Sequence, residues 1–172
     1  MWGSASGSDP FWGASALGGP RLGAIAHDRF TIMRSSPFFN DDKLNLIIGG
    51  QAGYPATQFD IESGSTAHNE IAIAPYFGHL NTFNTVEEIF YPLFARAQWD
   101  IDGGMVQQSD YHIKRTGRST RMAVYEINFH TTGGPAPNDI RNDFLTSQAG
   151  GVALPLYMLK YQKEFGIKNL CS

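Results

Sequence analysis

The chain has 172 residues, of which 42% are hydrophobic, 13% aromatic and 17% charged, a composition typical of a folded protein rather than a disordered one. Its 13 basic and 16 acidic residues are scattered and give a formal net charge of −3, which disfavours nucleic-acid binding. The sequence contains no apolar run of the roughly 18 residues that span a bilayer and no signal-peptide pattern at its start. We therefore expect a soluble, unexported protein that binds neither nucleic acid nor membrane, while its compartment stays undetermined.

The beginning of the chain predicts a loop followed by a helix. Residues 1–20 are rich in Gly, Ser, Ala and Pro and lack helical or strand periodicity, so they predict a loop or a disordered leader. In residues 21–36, apolar side chains recur mostly at spacings of three and four, which predicts an amphipathic helix that Pro37 ends. We interpret residues 21–172 as one domain.

Three short apolar runs are typical of buried strands: 44–48, 71–74 and 122–125. Thr85 and Glu88 have the spacing of a capping box and predict a helix that Pro92 kinks. A second helix is predicted over 104–116.

The end of the chain predicts one long helix. Asn138 is placed to cap a helix over 139–165 that bends near Pro155, because the proline ring removes a backbone hydrogen bond. Gly166 is placed to end that helix. Residues 167–170 predict a fourth strand.

The alternation of helices and strands indicates an α/β fold with a parallel sheet. In such folds the active site lies at the carboxyl ends of the strands. That rule selects Gln51, residues 76–79 and residues 126–130 as the places to look for functional side chains.

Glu126 directly follows the third apolar run, so its carboxylate is expected above the end of the sheet. A carboxylate in that place can attack an anomeric carbon when neighbouring donors orient it. The same position also suits a glutamate that only caps a helix or pairs with an arginine.

Several segments resemble the later half of a retaining (β/α)8-barrel glycoside hydrolase of the cellulase, xylanase and arabinofuranosidase superfamily. The motif LNLIIGGQ (44–51) resembles its fifth strand, IAIAPYFG (71–78) its sixth and AVYE (123–126) its seventh, and residues 142–160 resemble the helix that follows. The resemblance implies a partial TIM barrel that cleaves β-linked polysaccharide without a cofactor. It also implies that Glu126 is the nucleophile and that Tyr76 donates a hydrogen bond to it, although Tyr76 also suits a half-buried sheet-edge aromatic.

The resemblance does not cover the first four strands of the family. The Asn-Glu pair that carries the family's general acid has no counterpart before residue 44, and Glu70 of Asn69-Glu70 precedes its strand, so we expect Glu70 to be a solvated residue at the opposite end of the sheet. An incomplete barrel exposes sheet edges, so we expect it to form a homodimer or to close the gap with its N-terminal segment. The alternative function is a non-catalytic carbohydrate-binding or structural half-barrel.

The sequence indicates the proton donor and the substrate-binding residues less clearly than it indicates the nucleophile. The candidates for the proton donor are Asp60 and Glu62, which we expect in a loop after the first strand, and His130. Of these, Glu62 is the acid/base candidate that we select. Side chains expected to bind substrate are those of Tyr76, Gln51, His79, Asn128 and His130. The histidine spacings match no metal-binding motif, and the sequence has no phosphate-binding loop and no GxSxG elbow, so we predict no metal.

Overall fold

The computed structural model describes residues 19–52, 54–77, 85–117, 119–129 and 138–171. Along this part of the chain the elements are α1 (Gly19–Arg34), β1 (Ile47–Gly49), α2 (Pro55–Ser63), β2 (Glu70–Ile73), α3 (Glu87–Asp102), α4 (Met105–Arg115), β3 (Arg121–Val124), α5 (Asn138–Thr146) and α6 (Gln148–Phe165). None of the helices in these ranges has both the length and the apolar character that a membrane span requires.

The strands form one parallel three-stranded sheet in the order β1-β2-β3, which confirms the α/β class. Ile47 pairs with Glu70 and Gly49 with Ala72. All four residues of β2 are buried, and Ile71 and Ile73 have no exposed surface. A central parallel strand is covered on both faces, which explains why its sequence is continuously apolar after the first residue.

Residues 21–172, interpreted from the sequence as one domain, divide into two compact units. The first unit contains the described residues up to Ile73 together with Ser109–Ala123. Here α1 packs against α2 at glycines: a Cβ atom at Gly23 would overlap the carbonyl oxygen of Ile61, and one at Gly64 would overlap that of Pro20. The close approach of these two helices therefore requires glycine at both positions.

A polar network joins the amino ends of the three strands in this first unit. Glu70, at the start of β2, accepts hydrogen bonds from Arg121 Nε at 3.0 Å and from Asn45 Nδ2 at 3.2 Å. Arg121 opens β3, and its side chain also donates to Asn45 Oδ1 at 3.2 Å. The prediction that Glu70 is solvated is wrong, because the residue is only 2% exposed and the arginine compensates its charge.

The second unit contains the described residues of 74–108 together with those from Val124 onwards. Its core is aromatic: the Phe77 ring stacks on Tyr157 with centroids 3.6 Å apart. The Tyr157 hydroxyl donates to the carbonyl oxygen of Leu93 at 2.6 Å, and the Tyr161 hydroxyl donates to Asp100 Oδ2 at the same distance. Buried phenols thus pack as apolar groups while their hydroxyls join α6 to α3.

The prediction of one long C-terminal helix is wrong, because the chain forms α5 and α6 with a break at Ser147. Ser147 has an extended backbone, and its hydroxyl oxygen accepts the N–H of Gly150 at 3.0 Å, so it caps a new helix. A Cβ atom at Gly150 would overlap the Phe144 carbonyl oxygen, so glycine allows α6 to start close to α5. Pro155 lies inside α6 and does not end it.

The prediction of a loop after the first strand is wrong over Pro55–Ser63, which form α2 with Pro55 at the start of the helix, where a missing N–H costs nothing. The other boundaries agree with the sequence to within a few residues. Helices α1, α3 and α4 form where they are predicted, and Gly166 ends α6 in a left-handed conformation. Residues 167–170 contribute one parallel bridge, between Leu170 and Val124, rather than a full strand. The predicted loop over residues 1–20 lies outside the described residues except at its last two positions, which belong to α1.

We expect Arg121→Met to lower the free energy of unfolding by about 2 kcal/mol, because it leaves the buried Glu70 carboxylate without its cation. The expected loss of stability is moderate because the arginine side chain is 52% exposed. Lys43→Met, at an exposed position of the same unit, is the control and should change stability by less than about 0.5 kcal/mol. Urea unfolding measures both, and equal losses in the two variants would contradict a structural role for the pair.

Candidate functional site

Tyr76 and Glu126 both lie beyond the carboxyl ends of strands, in the second unit. Tyr76 follows the end of β2 at Ile73, and Glu126 follows the end of β3 at Val124. A parallel bridge between Phe77 and Phe129 continues the pairing of the two segments. The placement predicted for Tyr76 and Glu126 beyond the strand ends is therefore confirmed.

The segment after β3 alternates between buried and exposed residues. Ile127 and Phe129 are 0% and 8% exposed, whereas Glu126 and Asn128 are exposed. Alternation of this kind is typical of extended backbone, in which side chains two residues apart project to the same side. Glu126 and Asn128 therefore share the solvent-facing side of this segment.

The Tyr76 hydroxyl donates a hydrogen bond to the Glu126 carboxylate. This bond, and then burial and the negative charge of Glu126, raise the pKa of Tyr76 to about 12. Because this folded-state pKa lies above the ordinary value of 10.0, the interaction stabilises the fold fully below about pH 10 and progressively less as the pH rises towards 12. At neutral pH the tyrosine is a protonated donor that orients the carboxylate.

Tyr125 is the residue between β3 and Glu126, and it is 40% exposed. Burial raises the pKa of Tyr125, and the charge of Glu126 raises it further. Both phenols near Glu126 therefore stay neutral at physiological pH. The result is a carboxylate with two uncharged aromatic neighbours at an accessible strand end.

Glu62, the predicted acid/base, belongs to the first unit and is 2% exposed. Its Oε1 lies 3.4 Å from Nε2 of His68, and its Oε2 lies 3.7 Å from Nε2 of His112. The other ring nitrogen of His68 lies 3.2 Å from the Ser65 hydroxyl. Glu62 is therefore part of a buried Glu-His-His cluster, and its catalytic role stays a prediction.

Sequence reasoning missed this cluster because its members come from separate elements. Glu62 lies on α2, His68 on the segment before β2 and His112 on α4. The one signal in the sequence was the spacing of Glu62, Ser65 and His68 at intervals of three. Nothing in the sequence indicated that His112 of α4 would join them.

The structure describes some of the other residues predicted to be functional and leaves others out. Gln51 is exposed after β1, and its carbonyl oxygen accepts Nε2 of Gln58 at 2.8 Å. Asp60, another candidate proton donor, is exposed on α2. His79 and His130 lie outside the described residues.

Among the residues that the structure describes, no group of three or more His, Cys, Asp and Glu side chains is arranged to hold a metal ion.

We expect Glu126→Gln to lower the pKa of Tyr76 from about 12 towards 10, because the acceptor loses its charge. Ultraviolet titration of tyrosinate should then show one additional tyrosine ionising between pH 10 and 12. Tyr76→Phe in the same background identifies the group by removing that signal. Glu164→Gln, an exposed glutamate of the same unit, should leave the titration unchanged; an unchanged curve for Glu126→Gln would contradict the hydrogen bond.

Comparison with known proteins finds no family model, curated protein or solved structure that matches the chain. The resemblance to glycoside hydrolases therefore rests on the short sequence motifs alone.

Proposed function

We propose that the chain acts as a retaining glycoside hydrolase that cleaves β-linked polysaccharide, with Glu126 as the nucleophile. The observation that carries this proposal is the exposed Glu126 carboxylate just beyond β3, held by the Tyr76 hydroxyl. Active sites of parallel α/β proteins lie at this end of the sheet. The sequential strand order β1-β2-β3 agrees with the partial (β/α)8 barrel that the proposal implies.

In the proposed reaction a carboxylate oxygen of Glu126 attacks the anomeric carbon of a sugar. The new bond between that carbon and Glu126 forms while the bond to the glycosidic oxygen breaks, and a general acid gives the departing oxygen a proton. Water then attacks the same anomeric carbon, the bond from that carbon to Glu126 breaks, and the water gives a proton to the conjugate base of the same acid. Each of the two displacements inverts the anomeric carbon, so the configuration is retained overall. Tyr76 acts as a positioning residue, since its hydrogen bond orients the carboxylate before attack.

The proton donor is the second requirement of this mechanism. Glu62 is the residue proposed from the sequence, but its carboxylate is 2% exposed and faces two histidines. A donor must come within hydrogen-bond reach of the leaving oxygen, so the burial of Glu62 argues against this role. The exposed Asp60 remains a further candidate.

A second function, carbohydrate binding without hydrolysis, is favoured by the burial of Glu62. A binding site needs one accessible carboxylate and neighbouring donors, and it needs no second carboxyl within the roughly 5 to 5.5 Å that a retaining pair requires. Glu126 would then accept hydrogen bonds from sugar hydroxyls.

We expect the purified chain to hydrolyse aryl β-glycosides or soluble β-glucans and Glu126→Gln to reduce kcat/KM by at least about 1,000-fold. That loss corresponds to roughly 4 kcal/mol of transition-state stabilisation, as expected for a nearly isosteric change that removes the nucleophile. Glu164→Gln is the matched control and should keep full activity. Initial rates over a substrate panel provide the measurement.

The outcomes separate the two functions. Activity that survives in Glu126→Gln contradicts the assignment of the nucleophile. A wild-type chain that binds β-glucan without cleaving it supports the binding function instead. Neither binding nor cleavage would contradict both.

A further inference from the structure

The amide of Asn128 has a defined orientation. Its Oδ1 accepts the backbone N–H of Phe129 at 2.8 Å. Because an N–H group donates to the oxygen of an amide and not to its NH2, the Nδ2 group occupies the other branch of the side chain. Asn128 is exposed, and the structure records no acceptor for Nδ2 within the described part of the chain.

Asn128 is held beside the proposed nucleophile by its backbone. Its carbonyl oxygen accepts the N–H of Phe77 at 3.2 Å, next to Tyr76. The buried Ile127 separates it from Glu126, so the two exposed side chains lie on one side with Cα atoms roughly 6.6 Å apart. The negatively charged carboxylate of Glu126, which accepts hydrogen bonds, and the neutral NH2 group of Asn128, which donates two, thus lie side by side.

This pair of groups determines which sugars suit the site. Hydroxyl groups both donate and accept, so a carboxylate and an amide NH2 can bind two hydroxyls of one neutral sugar. An acidic sugar would bring a second negative charge towards Glu126, and the donor here is a neutral amide rather than the arginine or lysine that recognises carboxylates. The neutral phenols of Tyr76 and Tyr125 add no compensating charge.

We infer that Asn128 is a specificity-determining residue whose Nδ2 donates to a hydroxyl of a neutral sugar bound at Glu126, and that the site discriminates against uronic acids. The inference rests on the proposed function and deepens it by naming the substrate class and the donor. It requires sugar binding at Glu126 but does not require that the bound sugar be cleaved.

Binding of methyl β-glucoside, methyl β-xyloside, the monodeoxy analogues of both and methyl β-glucuronide tests this inference by NMR titration. Asn128→Asp is the informative variant, because it keeps the oxygen that accepts the Phe129 N–H and loses the NH2 donor. We expect it to weaken binding of the preferred neutral glycoside by about three- to tenfold or more, as the loss of one hydrogen bond predicts. Asn142→Asp, at an exposed position on α5, is the control and should bind as the wild type does.

A structural role alone would not alter discrimination between sugars. We expect the wild type to bind one monodeoxy analogue as weakly as Asn128→Asp binds the parent glycoside. Asn128→Asp should bind that analogue and the parent glycoside with equal affinity. The glucuronide should bind the wild type at least about tenfold more weakly than the neutral glycoside. Equal affinity for the glucuronide, unchanged discrimination in the variant or no binding of any neutral glycoside would overturn the inference, whereas binding without hydrolysis would overturn only the proposed catalysis.

Discussion

The buried carboxylate of Glu70 is the constraint on which the sheet depends. A charge on the central strand is costly unless a cation compensates it, and Arg121 supplies that cation from the first position of β3. Asn45, which precedes β1, hydrogen-bonds to both partners. One polar network therefore joins the starts of all three strands, and a shift of β2 against β3 by one residue would separate the pair.

The proposed site lies at the other end of the same two strands. Both strands are four residues long, so the chain leaves the sheet at Ile73 and at Val124. The bridge between Phe77 and Phe129 then keeps the departing segments paired, and Phe77 is anchored by its stacking on Tyr157. This apolar anchor is what allows an exposed carboxylate and an exposed amide to have defined positions.

Much of the fold could be predicted from the sequence because its signals are local. Apolar runs mark the three strands, and glycine in a left-handed conformation ends α6 at Gly166, as its position suggested. The placement of Glu126 and Tyr76 also follows from local patterns, because each comes within two residues of the end of an apolar run.

The features that sequence reasoning missed depend on contacts between distant residues. Glu70 was predicted to be solvated because its partner Arg121 lies 51 positions away along the sequence. The break at Ser147 was overlooked because Pro155 is the stronger local signal, yet α6 continues past Pro155 and buries Tyr157 and Tyr161. The Glu62 cluster needs His112 from α4, and no spacing along the chain indicates that contact.

The central claim, that Glu126 is a catalytic nucleophile, is tested most directly by covalent trapping. Dinitrophenyl 2-deoxy-2-fluoro-β-glycosides of glucose and xylose have a leaving group that needs no protonation, so the test does not depend on the unassigned proton donor. We predict that mass spectrometry finds one fluoroglycosyl group per chain, on Glu126, and none on Glu126→Gln. An unlabelled wild-type chain, or a label on a different residue, would contradict it.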